Sequence, residues 1–199
     1  MGNITAQEFA KNHFQLTEVR GKSIIEVGSL IVNYSVRPIF ETYSPSSYLG
    51  IDIKAGRGVD QICNAESILT EFGPEYFDIL ISNEVLEHVK NWKKIISNFK
   101  NIIKPKGKIF ISTRSKGFDY HGYPYDFWRF ELDDMKEIFS DFTIDALEPD
   151  KFGPGLLLKA TKPEKFKEKN LEHLQVYSII SRRKIQSDRN ALPRETLGE

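Results

Sequence analysis

Residues 77–113, FDILISNEVLEHVKNWKKIISNFKNIIKPKGKIFIST, constrain the fold more than any other part of this chain. An apolar run, Asp78–Ile81, stops at the polar pair Ser82–Asn83 and is followed by the acidic, histidine-bearing segment NEVLEH. Ile95, Ile96, Phe99, Ile102 and Ile103 then recur at helical spacing and paint one face of a helix over 91–103, with Asn91 as its N-cap. A Lys-Pro-Lys-Gly turn leads into a second apolar strand, Lys108–Thr113. Strand, crossover helix and strand make a βαβ unit, which closes parallel and right-handed. Residues just past the C-terminal end of such a strand face the crevice in which α/β sheets hold ligands. NEVLEH is therefore placed where chemistry is done.

The rest of the chain extends this pattern. Thr5 and Glu8 have capping-box spacing and predict a helix over 5–19. Ser23–Val27 reads as a first strand running into Gly28, and a short helix follows near 35–43 with Pro38 in its first turn. Ser47–Ile53 is a second strand, Val59–Cys63 a short third, 66–72 a helix and 78–82 the fourth strand. After the fifth strand, a loop over 114–130 carries seven aromatics. A loop this long is usually functional or disordered, and its aromatic content argues against disorder. Leu132–Phe139 reads as helix, and Phe142–Leu147 and Leu156–Thr161 as a hairpin. The reading is one α/β domain over 1–161, followed by a helical C-terminal extension over 162–199 with a flexible tail. The apolar face of that helix, with Phe166, Leu171 and Leu174, is a candidate oligomer contact.

Composition narrows the function. The 28 basic and 28 acidic residues cancel, so no global field draws in polyanions and a nucleic-acid partner is not favoured. The single cysteine, Cys63, excludes an internal disulfide framework and a cysteine-based zinc site. No apolar stretch approaches a membrane span and the N-terminus lacks a signal-peptide core, so a cytoplasmic protein is expected. The basic run SRRK at 181–184 reads as a solvated helix end.

A pyrophosphate-binding turn wants G-x-G-x-x-G, whereas the loop after Glu26-Val-Gly28 has no further glycine until Gly50. This counts against a nicotinamide cofactor. Asp52, at the end of the second strand, can accept hydrogen bonds from both hydroxyls of a ribose. Asn64 and Ala65, after the third strand, are positioned for an adenine edge, although Asn also favours turns.

Taken in order, IIEVGS, YLGIDI with GRGVD, FDILISNEVLEHV and IIKPKGKIFIST resemble class I S-adenosylmethionine-dependent methyltransferases of the LEH-motif methyltransferase-domain family. The resemblance covers about residues 22–161 and departs from the family pattern in the shortened glycine loop, where Asn33 is expected to supply a left-handed turn. It implies a three-layer, Rossmann-like α/β fold with a mainly parallel seven-stranded sheet and an antiparallel last strand. It also implies S-adenosylmethionine as cofactor. Glu26 and Gly28 would hold its methionine part, Asp52 its ribose, and Asn64 with Ala65 its adenine, while Asn83 would line the pocket near the sulfonium and Ile53 would also contact the cofactor. The activity implied is methyl transfer, to an oxygen of a sugar or glycan precursor or of a small metabolite.

His88 and His121 are the candidate bases for the acceptor proton; a packing role for His88 at the start of the helix weighs evenly against this. Glu84, Glu87, His88 and His121 also form a set that resembles metal-dependent small-RNA terminal ribose methyltransferases and quinone-precursor O-methyltransferases. A polar helix start without metal is preferred over that set. Tyr120, Tyr123 and Arg129 are the candidate substrate contacts, with an Arg129–Asp126 or Arg129–Glu131 pair as the structural alternative. Three readings compete with the favoured one: a metal-assisted ribose O-methyltransferase on RNA, a non-catalytic cofactor- or partner-binding module, and a nicotinamide-dependent dehydrogenase.

Overall fold

A computed structural model describes residues 4–122 and 126–186. Ten strands and six α-helices follow in the order α1 (Ile4–His13), α2 (Leu16–Val19), β1 (Ser23–Val27), α3 (Arg37–Thr42), β2 (Ser47–Asp52), β3 (Gln61–Ile62), α4 (Ile68–Phe72), β4 (Phe77–Asn83), α5 (Trp92–Ile102), β5 (Ile103–Arg114), β6 (Trp128–Arg129), α6 (Leu132–Ile138), β7 (Thr143–Pro149), β8 (Gly155–Thr161), β9 (Val176–Ser178) and β10 (Arg183–Ile185). Seven strands form one sheet in the order β3-β2-β1-β4-β5-β8-β7. β1 pairs in parallel with β2 and β4, and β4 with β5, while β8 runs antiparallel between β5 and β7. This is the expected three-layer α/β fold with its antiparallel last strand.

The alternation of side chains along a strand builds the layers. Ile24, Ile79, Ile81, Phe110 and Leu157 point to one face and pack with Phe9, Phe14, Val19 and Phe40 of the N-terminal region and α3. Ile25, Leu80, Ile109, Ile111 and Leu158 point to the other, against Trp92, Ile95, Ile96 and Phe99 of α5 and Met135 and Ile138 of α6. Asn91 caps α5 as its spacing predicted, accepting from the Lys94 amide.

The helix expected over 5–19 is broken in two. Phe14 turns inward beside Phe40, and Gln15, in extended conformation, starts α2 through a reciprocal capping box with Glu18. Thr5 lies inside α1 and donates its hydroxyl to Asp150 instead of capping a helix.

The helical C-terminal extension is also corrected. Residues 162–186 contain no helix: β9 pairs with β6 and β10 with β9, making a separate three-stranded antiparallel sheet. Leu171 and Val176 are buried, and Phe166 and Leu174 pack on the core. The apolar residues read as an oligomer-forming helix face are therefore consumed within the subunit. The tail expected to be flexible, 187–199, lies outside the described residues. Among those described, no helix is long and apolar enough to cross a membrane.

Lys100, on α5, is fully buried and donates to the Ile138 carbonyl and to both carboxylate oxygens of Asp141, at 2.6, 2.8 and 2.7 Å. Desolvation lowers its pKa against the opposing pull of Asp141. Removing one partner strands the other charge, so Lys100→Met is expected to cost about 3 kcal/mol in urea unfolding. The double variant Lys100→Met/Asp141→Leu is expected to recover most of that loss.

Candidate active site

The loops at the C-terminal ends of β1, β2, β3 and β4 enclose a cavity of about 390 Å³. Seven residues selected from sequence line it together: Gly28, Asp52, Ile53, Asn64, Ala65, Glu84 and His88. Leu30, Val32 and Val85 form its apolar wall. Asp52 is held from two sides, with Oδ2 accepting the Leu30 amide at 3.3 Å and Oδ1 the Lys54 amide at 3.1 Å. Asn64 caps a 3-10 turn at Ala65–Ser67 by accepting the Glu66 amide. That use of its oxygen leaves its amide N–H groups for a ligand. Asn98 of α5 anchors the same turn by donating to the Ala65 carbonyl at 2.9 Å.

Glu26 and Asn83 sit elsewhere. They face a second cavity of about 10 Å³, with Gly28 common to both spaces. That volume suits about one water molecule. Glu26 is buried, accepts the Tyr48 hydroxyl at 2.8 Å and has its pKa pushed up by desolvation to about 7. Asn83 accepts from Ser112.

The shortened glycine loop is accommodated from below. Gly28 has φ +79°, and a Cβ there would lie 2.2 Å from Val85 Cγ2. The room that further loop glycines would provide comes instead from Gly50, Gly56 and Gly58. A Cβ on them would meet the Gly58 carbonyl, Leu30 and the Ser29 carbonyl at 2.3, 2.3 and 2.6 Å. Ile31 ties the two loops together by donating to the Arg57 carbonyl. Asn33 does not take the left-handed conformation expected of it; Glu84, with φ +55°, does.

Sequence reasoning missed the compensating glycines and the apolar wall. The run Leu-Ile-Val at 30–32 was the available signal, because three apolar residues in a loop ask for a reason; Val32 remains 57% exposed.

NEVLEH forms a turn at the cavity rim, with a 3-10 segment at Leu86–His88. His88 lines the cavity, and its Nε2 lies 3.1 Å from Nε2 of His121. His121 Nδ1 lies 2.9 Å from Asp126 Oδ2, which also accepts the His121 amide. A carboxylate beside Nδ1 favours the proton on that nitrogen and leaves Nε2 with its lone pair.

Asp126 is gripped in turn by Arg129, whose Nη2 donates to it at 2.6 Å and whose other donors reach the carbonyls of Phe118, Asp119 and Trp128. These donors hold the Asp126 carboxyl well below the usual range, against desolvation. Arg129 is fully buried, so its expected role as a substrate contact is corrected: it fastens the loop that presents His121. Tyr120 is exposed on the same loop, whereas Tyr123 lies outside the described residues.

Of the four-residue metal set, Glu87, His88 and His121 bring ligand atoms within 4.8 Å of one another. Glu87 is fully buried; its Oε2 accepts from Thr113 at 2.8 Å and its Oε1 has no hydrogen-bond partner. Glu84 lines the cavity without joining that cluster; it is bound by Ser112 and paired with Arg114. Burial, with the Glu87 charge adding to it, pushes the Glu84 carboxyl up to about 8.

Residues 8–149 match the family model described as a methyltransferase domain. A ubiquinone biosynthesis O-methyltransferase of Idiomarina loihiensis is 38% identical over 64 residues, 32% of this chain and 26% of the relative. The match thus spans about a quarter of that protein's length. Among solved structures, an S-adenosylmethionine-dependent methyltransferase of Mesorhizobium loti superposes with a TM-score of 0.60 at 13% identity, covering 80% of this chain and 99% of the other. The 1,6-didemethyltoxoflavin-N1-methyltransferase of Burkholderia thailandensis, with bound S-adenosylhomocysteine, gives 0.60 at 14% identity over 80% of this chain and 77% of its own.

The Glu26 carboxyl supplies a pH test. With its folded pKa raised from 4.5 to about 7, folding favours the protonated form. The stability linked to this group is present below pH 4.5 and is lost as pH rises through 7. Glu26→Gln keeps an acceptor for Tyr48 and removes the titration. Urea unfolding at pH 5 and pH 8 is expected to show the variant losing about 2.5 kcal/mol less than the parent between them.

Proposed function

Because the chain belongs to the methyltransferase-domain family, we propose that it moves a methyl group from S-adenosylmethionine to an oxygen of a small acceptor. The observation that carries the reading is the 390 Å³ cavity, in which Asp52, Asn64 and Gly28 meet His88 at the ends of four strands. S-adenosylmethionine, when bound, supplies a methyl on a positively charged sulfur that a lone pair displaces in line. Asp52, oriented by two backbone amides, accepts the ribose hydroxyls, with Ile53 alongside. Ala65 and the Asn64 amide meet the adenine. Gly28 lets the backbone approach the methionine part, and Glu26 and Asn83 act behind it through the one-water cavity.

Acceptor alignment and proton removal fall to the histidine pair. His121, with Nδ1 beside Asp126, holds its Nε2 lone pair against His88 Nε2, and the acceptor hydroxyl takes the place of His88 there. His121 would take the proton of the acceptor hydroxyl, to whose oxygen the bound cofactor would supply the methyl. An oxygen acceptor is supported by the name of the Idiomarina relative, and a small ring compound suits it better than the glycan precursor considered from sequence.

A second reading concerns metal. The unpartnered, buried Glu87 Oε1 beside two imidazoles is a donor set fit for Mg²⁺, Mn²⁺ or Zn²⁺, with Asp126 orienting His121. Such an ion would polarise the acceptor oxygen.

Calorimetric titration with S-adenosylhomocysteine tests the principal reading. Binding is expected, and Asp52→Ala is expected to weaken it at least about tenfold, since charge-assisted hydrogen bonds are lost. Equal affinity in both proteins would overturn the assignment. After chelator treatment, Mn²⁺ or Zn²⁺ is expected to raise the melting temperature of the parent but not of Glu87→Gln. No shift in the parent would remove the metal reading and leave the cofactor site standing.

A further inference from the structure

Residues 116–120 of the aromatic loop after β5 and the basic run SRRK, to which the methyl-transfer reading gives no role, are brought together by the fold. Residues 116–120 and the β9–β10 turn line an open groove of about 820 Å³. Lys116 and Arg182 contribute its cations, and Phe118, Tyr120 and Tyr177 its rings. Lys116 Nζ lies 5.3 Å from the centre of the Tyr177 ring. Among the described residues, no carboxylate pairs with the head group of Lys116 or Arg182, in a chain whose formal charges otherwise cancel.

The groove lies one side chain away from the histidine pair. The Phe118 ring that lines it stands 5.2 Å from the His121 ring, and His121 stands 4.6 Å from His88 in the cofactor cavity. One aromatic ring thus separates the groove from the histidine pair.

The geometry points to this groove as the acceptor subsite, shaped for a ring that carries a phosphate or carboxylate; the assignment rests on the methyl-transfer reading above. Two unneutralised cations attract and orient an anion. The tyrosine faces take a ring, as aromatic side chains do in small-molecule sites. Asp119, also in the lining, opposes the anion and sets a sign that can be tested.

Phenyl phosphate and benzoate are titrated by calorimetry, with phenol as the uncharged control, in the presence and absence of saturating S-adenosylhomocysteine. At least one anion is expected to bind where phenol does not, and the tighter of the two identifies the anionic group. Lys116→Ala and Arg182→Ala are each expected to weaken that binding about tenfold. Asp119→Asn is expected to strengthen it, and none of the three should change S-adenosylhomocysteine affinity. Binding of neither anion, or binding indifferent to all three substitutions, would overturn the groove as the subsite. Because the cofactor-free titration stands alone, failure of S-adenosylhomocysteine to bind would overturn the methyl-transfer reading separately.

Discussion

Parallel pairing between β1 and β4 determines where this molecule can hold a ligand. β1 has β2 on one side and β4 on the other, so the chain leaves β1 in one direction and later returns to build the other half of the sheet. Connections that diverge in this way leave a crevice beyond the strand ends. Here it is floored by Gly28 from β1 and Val85 from the turn after β4, which come so close that no side chain fits between them. The same pairing buries Glu26 at the centre of the sheet, where its desolvation is partly offset by the Tyr48 hydroxyl.

Above that crevice the chain uses buried charge to hold a loop in place. Arg129 lies on β6, which is joined to β9 and through it to β10. Its guanidinium spends every donor group on Asp126, two loop carbonyls and the Trp128 carbonyl of β6, so the segment carrying His121 is tied to the three-stranded sheet. A buried ion pair is weak evidence for stability, because desolvation consumes most of the attraction. Its consequence here is orientation: Asp126 faces His121 Nδ1, and His121 Nε2 faces His88. The C-terminal strands that support β6 also supply one wall of the cationic groove, which links scaffold and acceptor recognition through the same residues.

Most of the main sheet was legible because its signals are local and repeated. Alternating or continuous apolar runs marked β1, β4, β5 and β8, and the helical spacing of Ile95, Ile96, Phe99 and Ile102 marked α5. Asp52 and Asn64 were legible as strand-end residues, and the structure puts both on the cavity wall. The C-terminal segment misled because Phe166, Leu171 and Leu174 fit a helical face loosely. Val176–Tyr177–Ser178, buried, half-buried and buried in turn, carries the period-two pattern of the strand it forms. Arg129 misled because an arginine among aromatics looks the same in sequence whether it meets a substrate or clamps a loop. Only its full burial and its carboxylate partner separate the two.

The amino-acid sequence by itself determined the layer order, the parallel sheet and the strand ends at which a ligand is met, since these follow from periodicity and connection rules acting on neighbouring residues. Tertiary structure decided the rest. The space missing from the β1 loop is supplied by Gly50, Gly56 and Gly58 on a separate strand and turn. Glu87, His88 and His121 converge although 33 residues separate the two histidines. Both results depend on contacts between segments distant in the chain, and distance in space is the quantity that a one-dimensional pattern does not contain.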